Sequence, residues 1–231
     1  MMSEKQKILA LIPAHNESTR IGPVIDGVSQ YLPVLVVDDG STDNTSAVAS
    51  QHGAVVVRQE PNQGKGAALL NGFGHFLAGE YDAVITLDAD GQHDPAEIPL
   101  FVEKFRQDHS DLIIGQRNFR QMPFPRNFSN TIGTWMLSNA MGQYIPDNQS
   151  GYRLHSQRLV ESVINSQERG FEFEVEIIFM CVLRGFNLAW VPIRTIYAGQ
   201  TSHIKPIKHI KHFFRITRRA RELMRAKKHT A

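Results

Sequence analysis

Residues 83–93 read AVITLDADGQH, an apolar and β-branched run that leads directly into two acids separated by one residue. The length and composition of the run predict a buried strand, and Gly91 predicts its end. Asp88 and Asp90 then project into the crevice at the carboxyl end of the strand, where open α/β sheets bind ligands. Two carboxylates this close repel each other unless a cation lies between them. Their hard oxygen atoms suit Mg²⁺ or Mn²⁺, although the same acids also fit a solvated turn.

Other apolar runs predict a sheet around this strand. Residues 8–12, 34–37 and 54–58 predict three earlier strands with helices between them, and residues 111–115 and 188–193 predict two later ones. Strands that alternate with helices predict an α/β fold with a mostly parallel sheet flanked by helices. The carboxyl ends of parallel strands meet at one edge. The acidic loops after the first, second and fourth strands should therefore lie together.

The later part of the chain carries three less regular segments. Residues 147–154, DNQSGYRL, predict a loop followed by a strand. Residues 171–176, FEFEVE, alternate apolar and acidic residues, which predicts a strand with solvated acids ahead of a helix to about Leu183. Residues 118–126 are rich in proline and aromatic residues and predict a loop that covers the substrate.

The composition, 42% hydrophobic and 21% charged, is that of an ordinary soluble protein with ample core. The single cysteine, Cys181, excludes an internal disulfide framework and lies in an apolar run that favours a core position. The N-terminal residues lack the apolar region of a signal peptide. No window reaches the ~18 apolar residues of a membrane-spanning helix. We therefore expect a cytoplasmic protein.

The charge is distributed unevenly. Residues 205–231 hold ten Lys or Arg and one acid, a net +9 in a chain whose total is +2, so the rest carries −7. Ile207, Ile210, Phe213 and Phe214 fit a helical stripe among the basic residues. This basic amphipathic tail predicts peripheral binding to an anionic membrane surface at the inner face. A helix packed on its own domain is the alternative, and no nucleic acid is expected as a partner.

Four motifs occur in an order that resembles family-2 glycosyltransferases with the GT-A fold. They are PAHNES (13–18), VVDDGSTDNT (36–45), NQGKGAA (62–68) and LDADGQHDP (87–95). The motifs DNQSGYR (147–153) and FEFEVEI (171–177) look most like those of the polyprenyl-phosphate sugar synthases, of the dolichyl-phosphate mannosyltransferase type. The resemblance implies one GT-A domain over residues 1–204. Its nucleotide-sugar half spans about 1–117 and its acceptor half about 118–204, followed by the tail.

The same resemblance implies a donor site built from these motifs. The residues near the nucleobase or ribose are Pro13, His15, Glu17, Asp39 and Lys65. Asp88, Asp90 and Gln92 lie near the cation, diphosphate or sugar, and Ala89 contacts the nucleotide. Arg117 lies near a donor or acceptor phosphate. The cation is Mg²⁺ or Mn²⁺, held by Asp88 and Asp90. The implied partners are a GDP- or UDP-sugar donor and a polyprenyl or dolichyl phosphate acceptor.

The implied reaction inverts the anomeric carbon, and the cation, with Arg117 or Lys65, stabilises the departing diphosphate. A lipid phosphate is already ionised and needs no strong base, whereas a hydroxyl acceptor needs one within hydrogen-bond reach. Asp90, Asp147 and Glu176 are the candidates for that base. The acceptor therefore stays open between a lipid phosphate and a hydroxyl of a glycan or lipid.

Two features leave further alternatives. The mannosyltransferase type has a Gly-x-Ser-Lys turn near residue 200, where this chain reads GQTSH (199–203). His203 stands where that type has the lysine, and Arg194, His203 or Lys205 could supply the positive charge of that side chain. A phosphatase of the haloacid dehalogenase type also uses two acids at a strand end. In this chain, however, Gly91 follows the acids and three strands precede them.

Overall fold

The computed structural model describes residues 6–118, 126–194, 196, 215, 218, 221 and 222. The strands are β1 (Ile8–Ala14), β2 (Val34–Asp39), β3 (Val55–Gln59), β4 (Ala83–Thr86), β5 (Leu112–Arg117), β6 (Arg153–Ser156) and β7 (Leu188–Ile193). The helices are α1 (Ile21–Ser29), α2 (Thr45–Gln51), α3 (Lys65–Ala78), α4 (Ile98–Asp108), α5 (Arg126–Met141), α6 (Gln157–Val163) and α7 (Glu172–Arg184). A 3₁₀ turn, Pro95–Glu97, precedes α4.

The seven strands form one sheet in the order β3-β2-β1-β4-β6-β5-β7. Neighbouring strands run parallel except β6, which is antiparallel to both β4 and β5. The predicted mostly parallel α/β sheet is therefore confirmed. The strand after residue 147 is also confirmed, with an antiparallel direction that its four residues do not encode.

Helices cover both faces of the sheet, which explains why the central strands read as continuous apolar runs. Every residue of β1, β2 and β4 is buried. Phe73 of α3 and Phe173 of α7 lie in the core cluster on one face. Ile25 of α1 and Phe101 of α4 lie in the cluster on the other face. The packing fixes the sheet and thereby the positions of the loops at its edge.

The prediction of a strand over residues 171–176 is wrong, because α7 begins at Glu172. The alternation spans only three repeats. It is outweighed by the apolar helical face that continues to Cys181 and by two acids, Glu172 and Glu174, in the first turn. Acids there are favoured by the helix dipole.

Two predicted features fall largely outside the described residues. They are the covering loop at 118–126 and the tail, of which only Arg215, Arg218, Arg221 and Glu222 are described, all exposed and helical. Among the described residues, no helix combines the length and the apolar content needed to cross a bilayer.

Candidate active site

The acidic loops after β1, β2 and β4 lie side by side, as expected from the parallel pairing of β1 with both neighbours. Hydrogen bonds join the first two loops. The backbone N–H of Glu17 donates to Thr45 Oγ1 at 2.8 Å, and His15 Nδ1 lies 2.8 Å from the carbonyl oxygen of Asp39. The predicted common edge is confirmed. The assignment of His15 and Glu17 to a nucleobase pocket stays a prediction.

The two acids at the end of β2, Asp38 and Asp39, stabilise different segments of the chain. Asp38 is fully buried, accepts a hydrogen bond from the backbone N–H of Ser41 at 2.8 Å and pairs with Arg58 at 3.2 Å. Burial acts to raise the pKa of Asp38, but the hydrogen bonds from Ser41 and Ser46 outweigh it and hold that pKa below its usual value. Asp38 therefore stabilises the loop after β2.

Asp39 holds the turn that leads into α3. Its Oδ1 accepts from Gln59 Nε2 at 2.7 Å and from the backbone N–H of Gln63 at 2.8 Å, and its Oδ2 accepts from the N–H of Gly64 at 2.8 Å. Gly64 has a positive φ of 99°, which suits glycine. These contacts fix the start of α3 and with it Lys65. A contact of Asp39 with a nucleobase or ribose stays a prediction.

Lys65 lies between two carboxylates that come from distant parts of the chain. Its Nζ is 2.5 Å from Asp88 Oδ1 and 3.2 Å from Glu174 Oε2. The ring of Phe171 lies 5.5 Å from the same nitrogen. On the other side of Asp88, Oδ2 lies 3.4 Å from Nε2 of the buried His93. The cluster brings together Lys65 and Asp88, which the resemblance implied for the donor site. It also contains Glu174, for which the alternating sequence pattern predicted a solvated position.

The charges in this cluster reinforce one another. Burial acts to raise the pKa of Asp88, but the ammonium of Lys65 and then the hydrogen bond from His93 outweigh it and hold that pKa well below its usual range. Burial acts to lower the pKa of Lys65, but the carboxylates of Asp88 and Glu174 outweigh it and raise that pKa. Both groups are therefore ionised at neutral pH.

The loop between Asp88 and Gln92 is also tightly packed. A Cβ placed on Gly151 would meet Asp88 Oδ2 at 2.6 Å, so the backbone there lies directly against the carboxylate. The side chain of Gln92 donates to Asp90 Oδ2 at 2.6 Å. Burial raises the pKa of Glu17. The charge of Arg20, whose Nε is 2.7 Å from Glu17, opposes this rise, and the nearby charge of Asp90 adds to it.

Two further residues that the resemblance places in the donor site are Pro13 and Ala89. Pro13 lies in β1 and Ala89 lies in the loop after β4, and both are buried. Their predicted contacts with a nucleotide stay predictions.

Arg117 and Asp147 form a bidentate ion pair. Arg117 Nε donates to Asp147 Oδ2 at 2.7 Å and its Nη2 donates to Oδ1 at 2.9 Å. Asp147 is fully buried and also accepts from the backbone N–H groups of Gln149 and Ser150 at 3.0 and 3.2 Å. A carboxylate has about four lone-pair sites, so Asp147 is saturated and acts to orient Arg117.

Arg153 is fully buried and donates hydrogen bonds to three backbone carbonyl groups of the segments next to the site. It donates to the carbonyl oxygens of Ser150 at 2.6 Å, Glu174 at 2.5 Å and Asn148 at 3.1 Å. Burial lowers the pKa of Arg153, and the charges of Glu174, Asp147, Asp88 and Arg117 also act on it. The three hydrogen bonds of Arg153 therefore join the loop at 147–151 to the start of α7.

The remaining acceptor-side residues are also engaged or buried. Glu176 accepts a short hydrogen bond from Ser166 Oγ. Ser150 is fully buried, and its Oγ has no hydrogen-bond partner among the described residues. Arg194 follows β7, and its N–H donates to Glu97 Oε1 at 2.9 Å. His203 and Lys205 lie outside the described residues.

A divalent cation fits the chemistry of the Asp88 and Asp90 pair. The side chain of Asp88 is 31% exposed and that of Asp90 is half-buried, so both offer hard oxygen atoms that a cation can reach. Within the described ranges, no group of three or more His, Cys, Asp or Glu residues could hold a metal ion by itself. Mg²⁺ commonly takes only one or two protein carboxylates and completes its shell with substrate phosphates and water.

The fold and the acidic crevice define a GT-A glycosyltransferase. The sequence profile described as Glycosyl transferase family 2 matches residues 10–167, more than half of the chain. The chain belongs to this family and is an enzyme of the glycosyltransferase class. This match supports a glycosyltransferase and gives no support to the haloacid dehalogenase alternative.

Two similar proteins carry specific names. Polyprenol monophosphomannose synthase from Mycolicibacterium smegmatis is 30% identical over 208 residues, which is 81% of this chain and 77% of that protein. UDP-N-acetylglucosamine–dolichyl-phosphate N-acetylglucosaminyltransferase from Methanococcus voltae is 28% identical over 216 residues, 82% of this chain and 86% of that protein.

A solved structure shows the same fold. Glucosyl-3-phosphoglycerate synthase from Mycobacterium tuberculosis, in complex with Mn²⁺, UDP and phosphoglyceric acid, matches with a TM-score of 0.72 and 22% identity. The match covers 93% of this chain and 77% of that one. It shows the fold alone.

Proposed function

We propose that this glycosyltransferase moves a sugar from a nucleotide diphosphate donor to a lipid phosphate acceptor with the help of Mg²⁺ or Mn²⁺. The observation that carries the proposal is the pairing of Lys65 with Asp88 at 2.5 Å and of Arg117 with the buried Asp147, at the carboxyl edge of the sheet. The names of the two relatives, which include polyprenol, dolichyl phosphate and UDP-N-acetylglucosamine, support the acceptor and donor classes.

On the donor side, Asp88 and Asp90 would hold the cation, and Gln92 would face the sugar or diphosphate. When bound, the cation supplies positive charge to the departing diphosphate. Arg117 would add charge-assisted hydrogen bonds to a phosphate, because Asp147 holds its guanidinium in one orientation. A UDP-sugar is the first donor to test, and a GDP-sugar the second.

On the acceptor side, the engagement of the candidate bases favours a phosphate. Asp147 accepts two hydrogen bonds from the Arg117 guanidinium and three from backbone N–H groups, Glu176 accepts from Ser166, and Asp90 accepts from Gln92. A hydroxyl acceptor needs a base that can take its proton, whereas an ionised lipid phosphate attacks without one. This arrangement supports the lipid phosphate over the hydroxyl of a glycan.

The test is a transfer assay with radiolabelled UDP- and GDP-sugars, Mn²⁺ or Mg²⁺ and polyprenyl phosphate, analysed by thin-layer chromatography. An acid-labile labelled lipid is the expected product. Asp90→Ala should abolish it, while Asp94→Ala, which removes a nearby acid that caps the 3₁₀ turn, should retain it. Label on a glycan hydroxyl, with none on the lipid phosphate, would reject the proposed acceptor.

We also propose a single catalytic domain over residues 1–204 and a membrane-binding tail over residues 205–231. Arg215 of the tail pairs with Glu168 of the domain at 2.6 Å, and Arg215, Arg218 and Arg221 are all exposed. Each basic residue near an anionic leaflet adds about 1 kcal/mol of binding free energy. A cytoplasmic enzyme held at the inner face of the membrane would meet its lipid acceptor there.

A further inference from the structure

We propose that Glu174 is a positioning residue that keeps Lys65 paired when Asp88 engages the divalent cation. The inference rests on the proposed function, because it assumes that Asp88 contributes to a metal site. Its starting point is the unequal sharing of one ammonium group by two carboxylates, 2.5 Å from Asp88 and 3.2 Å from Glu174.

The surroundings of Lys65 make it dependent on these carboxylates. Its side chain is 15% exposed, so water solvates the ammonium poorly. Lys65 is also the first residue of α3, and the positive end of a helix dipole disfavours a cation there. The ring of Phe171 at 5.5 Å adds only a weak cation–π contact. An ammonium in this position therefore needs at least one anionic partner.

Asp88 cannot serve Lys65 and a divalent cation equally well. In the structure, one carboxylate oxygen of Asp88 contacts Lys65 and the other lies 3.4 Å from His93. If Asp88 held a divalent cation, its contact with Lys65 would weaken, because the two positive charges would repel each other. Glu174 then becomes the partner that prevents Lys65 from being left as an unpaired, poorly solvated cation.

Glu174 is well placed for this role because the fold holds it from both sides. Its side chain is 8% exposed, and its backbone carbonyl accepts a hydrogen bond from the fully buried Arg153 at 2.5 Å. Arg153 thus fixes the first turn of α7 against the loop that contains Gly151, which itself lies against Asp88. The acceptor-side helix α7 therefore sets the charge balance of the donor site.

The experiment measures UDP affinity by calorimetry, with and without Mn²⁺. The ratio of the two affinities, called here the Mn²⁺ enhancement, cancels any direct contact of Lys65 with UDP. We expect Glu174→Gln to reduce the enhancement about tenfold, which is about 1.4 kcal/mol, with UDP affinity in the absence of metal unchanged. Glu172→Gln, which changes a half-buried acid of the same helical turn, is the matched control and should keep the wild-type ratio.

The decisive comparison adds Lys65→Met to Glu174→Gln. Without the ammonium, Asp88 has no competing cation at this position. The double variant should therefore recover most of the wild-type enhancement, as coupled residues do in a double-mutant cycle. The double variant also replaces the ion pair with neutral groups, which buried sites often tolerate without loss of stability. If Glu174→Gln does not fold, Lys65→Met and the double variant should still show equal enhancements.

The outcomes separate the two proposals. A wild-type enzyme whose UDP affinity does not respond to Mn²⁺ or Mg²⁺ contradicts the proposed metal-dependent function. A responsive wild-type enzyme with an unchanged ratio in Glu174→Gln overturns the role of Glu174 alone. A double variant that is weaker than Glu174→Gln also overturns it, because the loss then has no connection with the charge of Lys65.

Discussion

His155 predicts a specific loss of stability in mild acid. It lies in β6 with 1% of its surface exposed, next to the ring of Phe73 at 5.3 Å, and its Nδ1 has no hydrogen-bond partner among the described residues. Burial, followed by the positive charge of Arg153, lowers the pKa of His155 from 6.5 to about 3. The native state therefore keeps the imidazole neutral at a pH where the unfolded chain protonates it.

The sign and size of the effect follow from proton linkage. A histidine with a depressed pKa in the native state stabilises the fold fully above pH 6.5, and this contribution is lost as the pH falls toward 3. From the ordinary pKa of 6.5 down to pH 5, a span of about 1.5 pH units, His155 is protonated in the unfolded chain and neutral in the native state. His155 alone should therefore lower the free energy of unfolding by about 2 kcal/mol relative to pH 7.5.

Urea unfolding at pH 7.5 and 5.0 measures this difference. We expect His155→Gln to lose about 2 kcal/mol less than the wild type between the two pH values, whatever its absolute stability. His75→Gln, which removes an exposed histidine of α3, should show the wild-type loss. Equal losses in the wild type and His155→Gln would refute the reasoning, because they would show that the fold does not hold this imidazole neutral.

Three further predictions concern the site and the tail. Gly151→Ala should push the carboxylate of Asp88 aside and lower turnover in the transfer assay on the order of 10²-fold, while the urea midpoint stays near that of the wild type. Unchanged turnover would contradict the close packing of Gly151 against Asp88. Asp147→Asn should leave Arg117 without its charged partner and cost roughly 3 kcal/mol in urea unfolding, and a loss below about 1 kcal/mol would show that the pair is not an effective buried ion pair. Truncation after Pro206 should reduce sedimentation with anionic liposomes and leave UDP binding intact, and unchanged sedimentation would reject the membrane role of the tail.

The sequence was informative where one short segment decided the outcome. Apolar runs followed by acids predicted β1, β2 and β4 and the common edge of their loops, because parallel strands necessarily align their carboxyl ends. The resemblance assigned Lys65 to the base or ribose and Asp88 to the cation of one donor site, and the structure brings the two side chains into contact. The roles of individual donor-site residues stay predictions.

The sequence was less informative where distant segments meet. Glu174 and Lys65 are 109 residues apart, and a short alternating pattern suggested a strand where α7 begins. The direction of β6 depends on the path of the preceding loop, and four residues give no sign of it. Helix α6 had a usable signal, because Ser156 caps it by accepting from the N–H of Leu159 at 3.3 Å.

The position of β6 in the sheet has a consequence for recombination between relatives. In the strand order, β1 to β4 form one contiguous block and β5 to β7 another, and the pair β4–β6 is the seam between them. At the end of this seam Thr86 Oγ1 donates to the carbonyl oxygen of Gly151 at 2.9 Å, next to Asp88. A chimera joined at residue 117 would take β5 from one parent and its two neighbours, β6 and β7, from the other. A junction in the connection between β4 and β5 keeps each block whole and leaves a single seam, which ends beside Asp88 and Gly151, to be matched.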